Sequence, residues 1–293
     1  KFTPHASKSI AHHMMVYGCR VPGSNESSWV CDQGESDGNT PDTVCGDRDK
    51  KILFAWALDA PEKSLPEGVG IRVSGTTQIN YMVVQLHYAK TFAPGVTDNS
   101  GITIGMTHNR PPQQVGYFVL GNWGNIPPQV ADYRMDSACE FPLNYTIYPI
   151  GYRTHSHNLG FVTSGYRIRN GTWLQIGKMS PQRPQAFYNV NNPGMDIRHG
   201  DVLAGRCVMN SKSRLAITKI GSTNHDEMCN FYIMYSTYEQ ANLNTAFCFK
   251  DANNYSWLQT FKPEDVPKDT ESLAGIQGAQ EITEKFKSLE ITM

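Results

Sequence analysis

Short apolar runs that alternate with polar residues, or are rich in β-branched ones, recur along the chain, while apolar residues at helical spacing are scarce. Candidate strands are Ile52–Leu58, Val69–Val73, Tyr81–His87, Gly101–Met106, Gly116–Leu120, Tyr145–His157, Phe161–Arg169, Thr172–Gly177, Val202–Met209, Arg214–Ile220 and Asn230–Tyr235. Arg169-Asn170-Gly171-Thr172 carries the Asn-Gly signal of a two-residue type I′ hairpin, in which both central residues need φ > 0. Strands this short and this closely spaced predict an all-β chain of sandwiches or barrels. The 25 glycines and 17 prolines among 293 residues supply the turns. Asn109-Arg110-Pro111-Pro112-Gln113 interrupts the strand pattern, so domains are expected at 1–110 and 111–261. Residues 262–293 read as a charged linker or tail with a short amphipathic segment at Ile282–Met293, outside the core.

Charge narrows the function. Lys+Arg number 26 against 27 Asp+Glu, which excludes bulk electrostatic attraction to nucleic acid or an acidic membrane. No run of about 18 apolar residues is present to span a bilayer. Seven cysteines occur without a CxxC pair, which weakens a zinc-ribbon or thioredoxin reading. They accompany four glycosylation sequons, at Asn25, Asn144, Asn170 and Asn254. Together these favour a secretory-pathway protein, in a granule lumen or outside the cell. An odd cysteine count leaves one thiol without an intrachain partner. The start at Lys1-Phe2-Thr3-Pro4 reads as a mature or truncated chain.

The histidines are placed unevenly. His155-Ser156-His157 follows the run from Tyr145 to Arg153. In a strand, residues i and i+2 share a face, so the pair is either a two-imidazole metal clamp or an ordinary polar pair. Arg153 would then lie on the same face, and a cation beside a cationic metal reads as a site for an anion arriving between them. His12-His13 are adjacent, so both can hold one ion only where the backbone bends. His87 closes Val83-Val84-Gln85-Leu86 and by itself reads as a core histidine. Met228, in His225-Asp226-Glu227-Met228-Cys229-Asn230, is either a core gap-filler or a thioether ligand. No HExxH motif accompanies these residues, which argues against a zinc hydrolase. Imidazole with thioether suits copper.

Four motifs occur in a fixed order: Ile10-Ala11-His12-His13-Met14-Met15-Val16-Tyr17-Gly18-Cys19, Gln85-Leu86-His87-Tyr88, Arg153-Thr154-His155-Ser156-His157-Asn158-Leu159-Gly160 and Asp226-Glu227-Met228-Cys229-Asn230-Phe231-Tyr232. With Ser164–Gly171 and Pro184–Tyr188, this order resembles the copper type II, ascorbate-dependent monooxygenases, and among them the peptidylglycine-hydroxylating members. The resemblance runs from about residue 9 to 250. It implies two tandem antiparallel jelly-roll β-sandwich domains, each with one copper, separated by a solvent-filled cleft. His12, His13 and His87 would hold an electron-storing copper. His155, His157 and Met228 would hold the catalytic one, which binds molecular oxygen beside the substrate. Ascorbate would reduce both. Arg153 would pair with the substrate carboxylate, Asn230 and Tyr232 would hydrogen-bond the substrate, and Gln85 is a weaker candidate in electron delivery.

The implied reaction hydroxylates the α-carbon of the C-terminal glycine of glycine-extended peptides, the first step of C-terminal amidation, with a separate or fused lyase completing it. The resemblance also implies disulfides Cys19–Cys45, Cys139–Cys248 and Cys207–Cys229. Cys31 is then unpaired, and the first domain is expected to be N-terminally truncated. A cysteine the family carries before Ser100-Gly101 would fall at Asn99, so that bridge is lost, and no function attaches to the polar loop Asp37–Asp49. Two alternatives stand beside this reading. A dopamine β-monooxygenase-like hydroxylase would have no use for Arg153 toward a cationic amine. A non-catalytic secreted copper-binding sandwich would need no open oxygen site at Met228.

Overall fold

A computed structural model describes the chain apart from residues 8, 32–43, 48–49, 58, 61, 63, 89, 222, 224 and 292–293, and apart from the side chains of His12 and residues 289–291. Leu58 and most of the 37–49 loop therefore lie outside the described residues. The chain forms two units, Lys1–Val115 with Gln240–Leu243, and Gly116–Glu239 with Asn244–Met293.

The first unit holds β1 (Phe2–His5), β2 (Ala11–Cys19), β3 (Lys51–Ala57), β4 (Val69–Gly70), β5 (Tyr81–Tyr88) and β6 (Gly101–Ile104). β2 is the middle strand of an antiparallel sheet ordered β3-β2-β5, and β1 pairs with β6. Burial of Met14, Val16 and Trp56 makes β2 and β3 the core of this unit. Phe2 stacks on Phe54 at 4.8 Å and joins the two sheets. The Cys19–Cys45 disulfide closes the end of β2.

β7 (Gln113–Trp123) runs from the first unit into the second. The second unit adds β8 (Asn125–Ile126), β9 (Tyr133–Glu140), β10 (Tyr148–His155), β11 (Gly160–Arg169), β12 (Thr172–Met179), β13 (Val202–Met209), β14 (Thr218–Lys219), β15 (Asn230–Thr237), β16 (Ala246–Asp251) and one helix, α1 (Ala279–Ile291). One sheet orders β10-β15-β7-β16 and the other β12-β11-β13-β9. They pack as a sandwich: Gly177 and Gly165 lack the Cβ atoms that would strike the rings of Tyr152 and Phe231 from the facing sheet. Cys139–Cys248 bridges β9 to β16 across the sandwich, and Cys207–Cys229 ties β13 to the residue before β15. Cys31 is the free cysteine.

Within the β11–β12 hairpin, Asn170 and Gly171 adopt φ of 50° and 76°, as the type I′ turn requires. A Cβ on Gly171 would meet nothing within 4 Å, so the backbone alone sets the penalty for a side chain there. Gly171→Ala should therefore lower the unfolding free energy by about 1–2 kcal/mol, measured by urea titration. An unchanged midpoint would show that the turn tolerates the substitution.

The structure departs from the sequence expectation in several places: β1, β2, β9 and β16 were not among the candidate strands, and Val69–Val73 is a strand only over Val69–Gly70. Tyr145–His157 is a strand only over Tyr148–His155, so His157 lies past its end. Arg214–Ile220 shrinks to two residues because Leu215 and Ile217 stay in water instead of packing on a sheet. The described part of 262–293 is not a detached tail. Leu273, Ile276, Ile282 and Phe286 bury against Val162 and Val208, with Phe286 edge-on to Phe161 at 5.4 Å. Arg206 holds this segment from below: it pairs with buried Asp136 at 2.6 and 2.9 Å, lies over the Trp257 ring, and donates to Thr270 Oγ1 at 3.1 Å.

Candidate functional site

The motif histidines fall into two groups, one in each unit. In the first, β2 and β5 pair His13 directly with His87, and the rings stand perpendicular with centroids 4.6 Å apart. The register shifts between Ala11 and His13, which makes His12 the extra residue of a bulge. Bulges break the strict alternation of a strand and re-aim side chains. The His12 side chain lies outside the described residues. Gln85, two residues before His87, accepts from Tyr17 Oη at 3.4 Å and donates to Cys31 Sγ at 3.2 Å.

In the second unit, His155 is the last residue of β10, Asn230 is the first of β15, and Met228 lies two residues before it. His155 Nε2 is 3.2 Å from Met228 Sδ, and the His155 and His157 rings are perpendicular with centroids 5.6 Å apart. Strand alternation does not explain the pair, since His157 has left the strand. Two residues to which the sequence reading gave no role do. Buried Glu227 accepts from the His157 backbone N–H, from Leu159 N at 2.7 Å and from Met228 N at 2.7 Å. One carboxylate thus holds the turn after β10 against the residue that carries the thioether. Burial pushes the Glu227 carboxyl above the ordinary carboxylate range, against the pull of those three amides.

Gln185 is the other. Its amide nitrogen donates to Ser156 O at 2.9 Å and Pro181 O at 3.1 Å, which fixes Oε1 as the acceptor facing His155 Nδ1 at 2.6 Å. His155 therefore carries its proton on Nδ1. His157 Nδ1 likewise faces a group that only accepts, the Asp226 carbonyl at 2.9 Å. In the neutral imidazoles both Nε2 atoms are left as bare lone pairs, and that of His155 points at a thioether sulfur that also cannot donate. An imidazole lone pair facing a thioether sulfur suits a cation held between them. Orientation of ligand imidazoles by a partner at the other nitrogen is the usual companion of metal binding. Two imidazoles and a thioether make a soft set that suits copper, so the residues present fit the metal. Among the described residues, which leave out the His12 side chain, no three side chains drawn from His, Cys, Asp and Glu gather into a metal-sized cluster.

Arg153 stands two residues before His155 on β10. Its Nε donates to Gln185 O at 2.8 Å, a terminal nitrogen reaches Gln185 Oε1 at 3.3 Å, and the guanidinium lies over the Tyr232 ring, 5.3 Å from its centroid. Desolvation draws its pKa down, partly offset by Tyr232. Among the described residues it has no carboxylate partner. Asn230 donates to Met228 Sδ at 3.8 Å.

Family comparison points to copper as well. The copper type II ascorbate-dependent monooxygenase N-terminal domain matches residues 1–93, and the C-terminal domain of the same family matches residues 113–261. The chain belongs to this family. It is 43% identical over 237 residues to peptidyl-glycine alpha-amidating monooxygenase A of Xenopus laevis, covering 80% of this chain and 24% of that protein. It is 41% identical over 253 residues to peptidylglycine alpha-amidating monooxygenase of Rattus norvegicus, covering 85% of this chain and 25% of that one. The chain thus spans about a quarter of the length of these relatives. DBH-like monooxygenase protein 1 of Homo sapiens is more distant, at 25% identity over 261 residues. Copper, ascorbate and oxygen are the reagents of the family.

The four sequon asparagines, Asn25, Asn144, Asn170 and Asn254, are all exposed. Three disulfides suit an oxidising compartment. Among the described residues no helix is long and apolar enough to cross a membrane.

Proposed function

We propose that this copper monooxygenase hydroxylates the α-carbon of the C-terminal glycine of peptides, and that Arg153 selects them. The observation that carries the reading is a shared partner: Gln185 holds both the Arg153 guanidinium and the His155 imidazole. A half-buried guanidinium without a carboxylate partner among the described residues suits an anion from outside, and its planar fork suits a carboxylate. A peptide terminus paired there would hold its last α-carbon beside the His155, His157 and Met228 set. Asn230 and Tyr232, on the same sheet next to these groups, would add hydrogen bonds that fix the peptide's orientation.

His155, His157 and Met228 would hold one copper, and His12, His13 and His87 the other, with Gln85 beside the second set. When bound and reduced by ascorbate, copper supplies the electrons that activate dioxygen for removal of hydrogen from the glycine α-carbon. Glu227 and Gln185 keep the donors in place, and Arg153 decides which carbon is presented. The product, a peptidyl-α-hydroxyglycine, is the substrate of a lyase, separate or fused, that releases the peptide amide. We place the protein in the secretory pathway, in a granule lumen or outside the cell, with glycans on its four sequons. A phenethylamine substrate would bring a second cation to Arg153, and that disfavours the DBH-like alternative.

Arg153→Ala should raise KM for free-acid glycine peptides about 10–100-fold, the equivalent of a lost charge-assisted bond of about 1.5–3 kcal/mol, with a smaller change in kcat. Steady-state oxygen uptake with copper and ascorbate checks this. An unchanged KM would remove the carboxylate clamp.

A further inference from the structure

The outer face of the second unit's sheet carries a row of aromatic rings that the reaction does not use. Phe247 and Phe249 lie two apart on β16, so they share a face, and parallel pairing sets Phe249 beside Gly121 and Asp251 beside Trp123. Trp123 and Phe249 stack with planes 5° apart and centroids 6.4 Å apart, and Phe247 lies 6.1 Å from Phe249. Trp123 and Phe247 nevertheless remain 53% and 62% exposed. Contiguous exposed aromatics of this kind mark a binding surface.

The row leads into the site. A Cβ on Gly121 would stand 2.6 Å from Asn230 Oδ1 and 2.7 Å from the Phe249 ring, so Gly121 is the gap across which the amide and the aromatic meet. Asn230 in turn touches Met228 Sδ. The order along the face is thioether, amide, glycine gap, ring stack. An extended chain advances about 3.3 Å per residue, so the stack falls within reach of the two to four residues that precede a glycine held beside Asn230.

We propose that Trp123, Phe249 and Phe247 form a subsite for an aromatic or large apolar side chain upstream of the C-terminal glycine, which defines the substrate class of this chain. The inference rests on the peptide reading of the site. The occupant is the substrate rather than a second copy of the chain because the row is continuous with Asn230 and Met228. Gly121 keeps that path open, since any side chain there would collide with both neighbours.

The test uses fluorophore-labelled peptides ending in free glycine, with Phe or Ala placed in turn one to four residues before it, on the copper-loaded protein and on the Trp123→Ser/Phe247→Ser variant. Binding is read by anisotropy and hydroxylation by ascorbate-dependent oxygen uptake. We expect one Phe position to improve Kd at least about tenfold over Ala in the parent protein, a gain of about 1.4 kcal/mol, and the variant to lose most of that preference. No Phe preference at any position, or a preference unchanged in the variant, overturns the subsite. So does a concentration-dependent dimer in sedimentation that the same substitutions abolish, which would assign the ledge to a second copy. Preferential binding without hydroxylation of any peptide would leave the subsite standing and overturn the proposed reaction instead.

Discussion

Met228→Ile is expected to abolish ascorbate-dependent hydroxylation while the protein stays folded. The side chains have similar volume and the position is half-buried, so the packing cost should stay below about 1.5 kcal/mol. The loss is chemical. His155 Nε2 faces the sulfur at 3.2 Å, and isoleucine offers no lone pair in its place. The predicted fall in turnover is at least about 100-fold, since even partners outside the ligand set typically cost 10–100-fold when removed. Thermal unfolding and oxygen uptake on the same preparation separate the two effects. A variant that hydroxylates at the parent rate would take Met228 out of the donor set.

Glu227→Ala should be the most damaging single change to this unit's stability. Removing the carboxylate strands the amides of His157, Leu159 and Met228, at about 1–3 kcal/mol for each group left buried without a partner. Glu227→Gln keeps one acceptor oxygen and should fall between Ala and the parent. Because the carboxylate joins the His157 turn to the Met228 residue, copper retention should fall together with stability. A competition titration with a Cu(I) chelator reads the first and urea unfolding the second. If the alanine variant keeps both copper atoms with unchanged affinity, Glu227 acts on the fold and not on the site.

Much of this architecture was legible in the sequence, and the failures have physical reasons. The β11–β12 hairpin was readable because Asn-Gly encodes its backbone directly. β13 was readable because both its faces are buried, leaving an apolar run in which Arg206 is the one charged residue. β9 was not, since Asp136 sits in its middle, and a buried carboxylate looks polar until Arg206, 70 residues away, is known to be its partner. The segment after Lys262 misled for a similar reason: charged, proline-bearing residues lead into only a few apolar side chains, and these bury only because β11 and β13 leave room for them.

At the site, the ordered motifs named the histidines and Met228 without saying how they meet. The His155-Ser156-His157 spacing pointed to a strand pair, whereas the chain turns after His155, Glu227 holds the His157 backbone and the Asp226 carbonyl faces its ring. Glu227 and Gln185 both lay inside the stretches that carried the family likeness. Single-sequence chemistry gave them no role, because a carboxylate that binds only backbone amides leaves no spacing signature.

The account depends most directly on sulfur at a copper. X-ray absorption on the protein loaded with two Cu(I) per chain should show a thioether scatterer that disappears in Met228→Ile, with the imidazole scattering preserved. Persistence of that sulfur shell in the variant, or its absence from the parent protein, would contradict the pairing of Met228 with His155 and His157 on which the proposed chemistry stands.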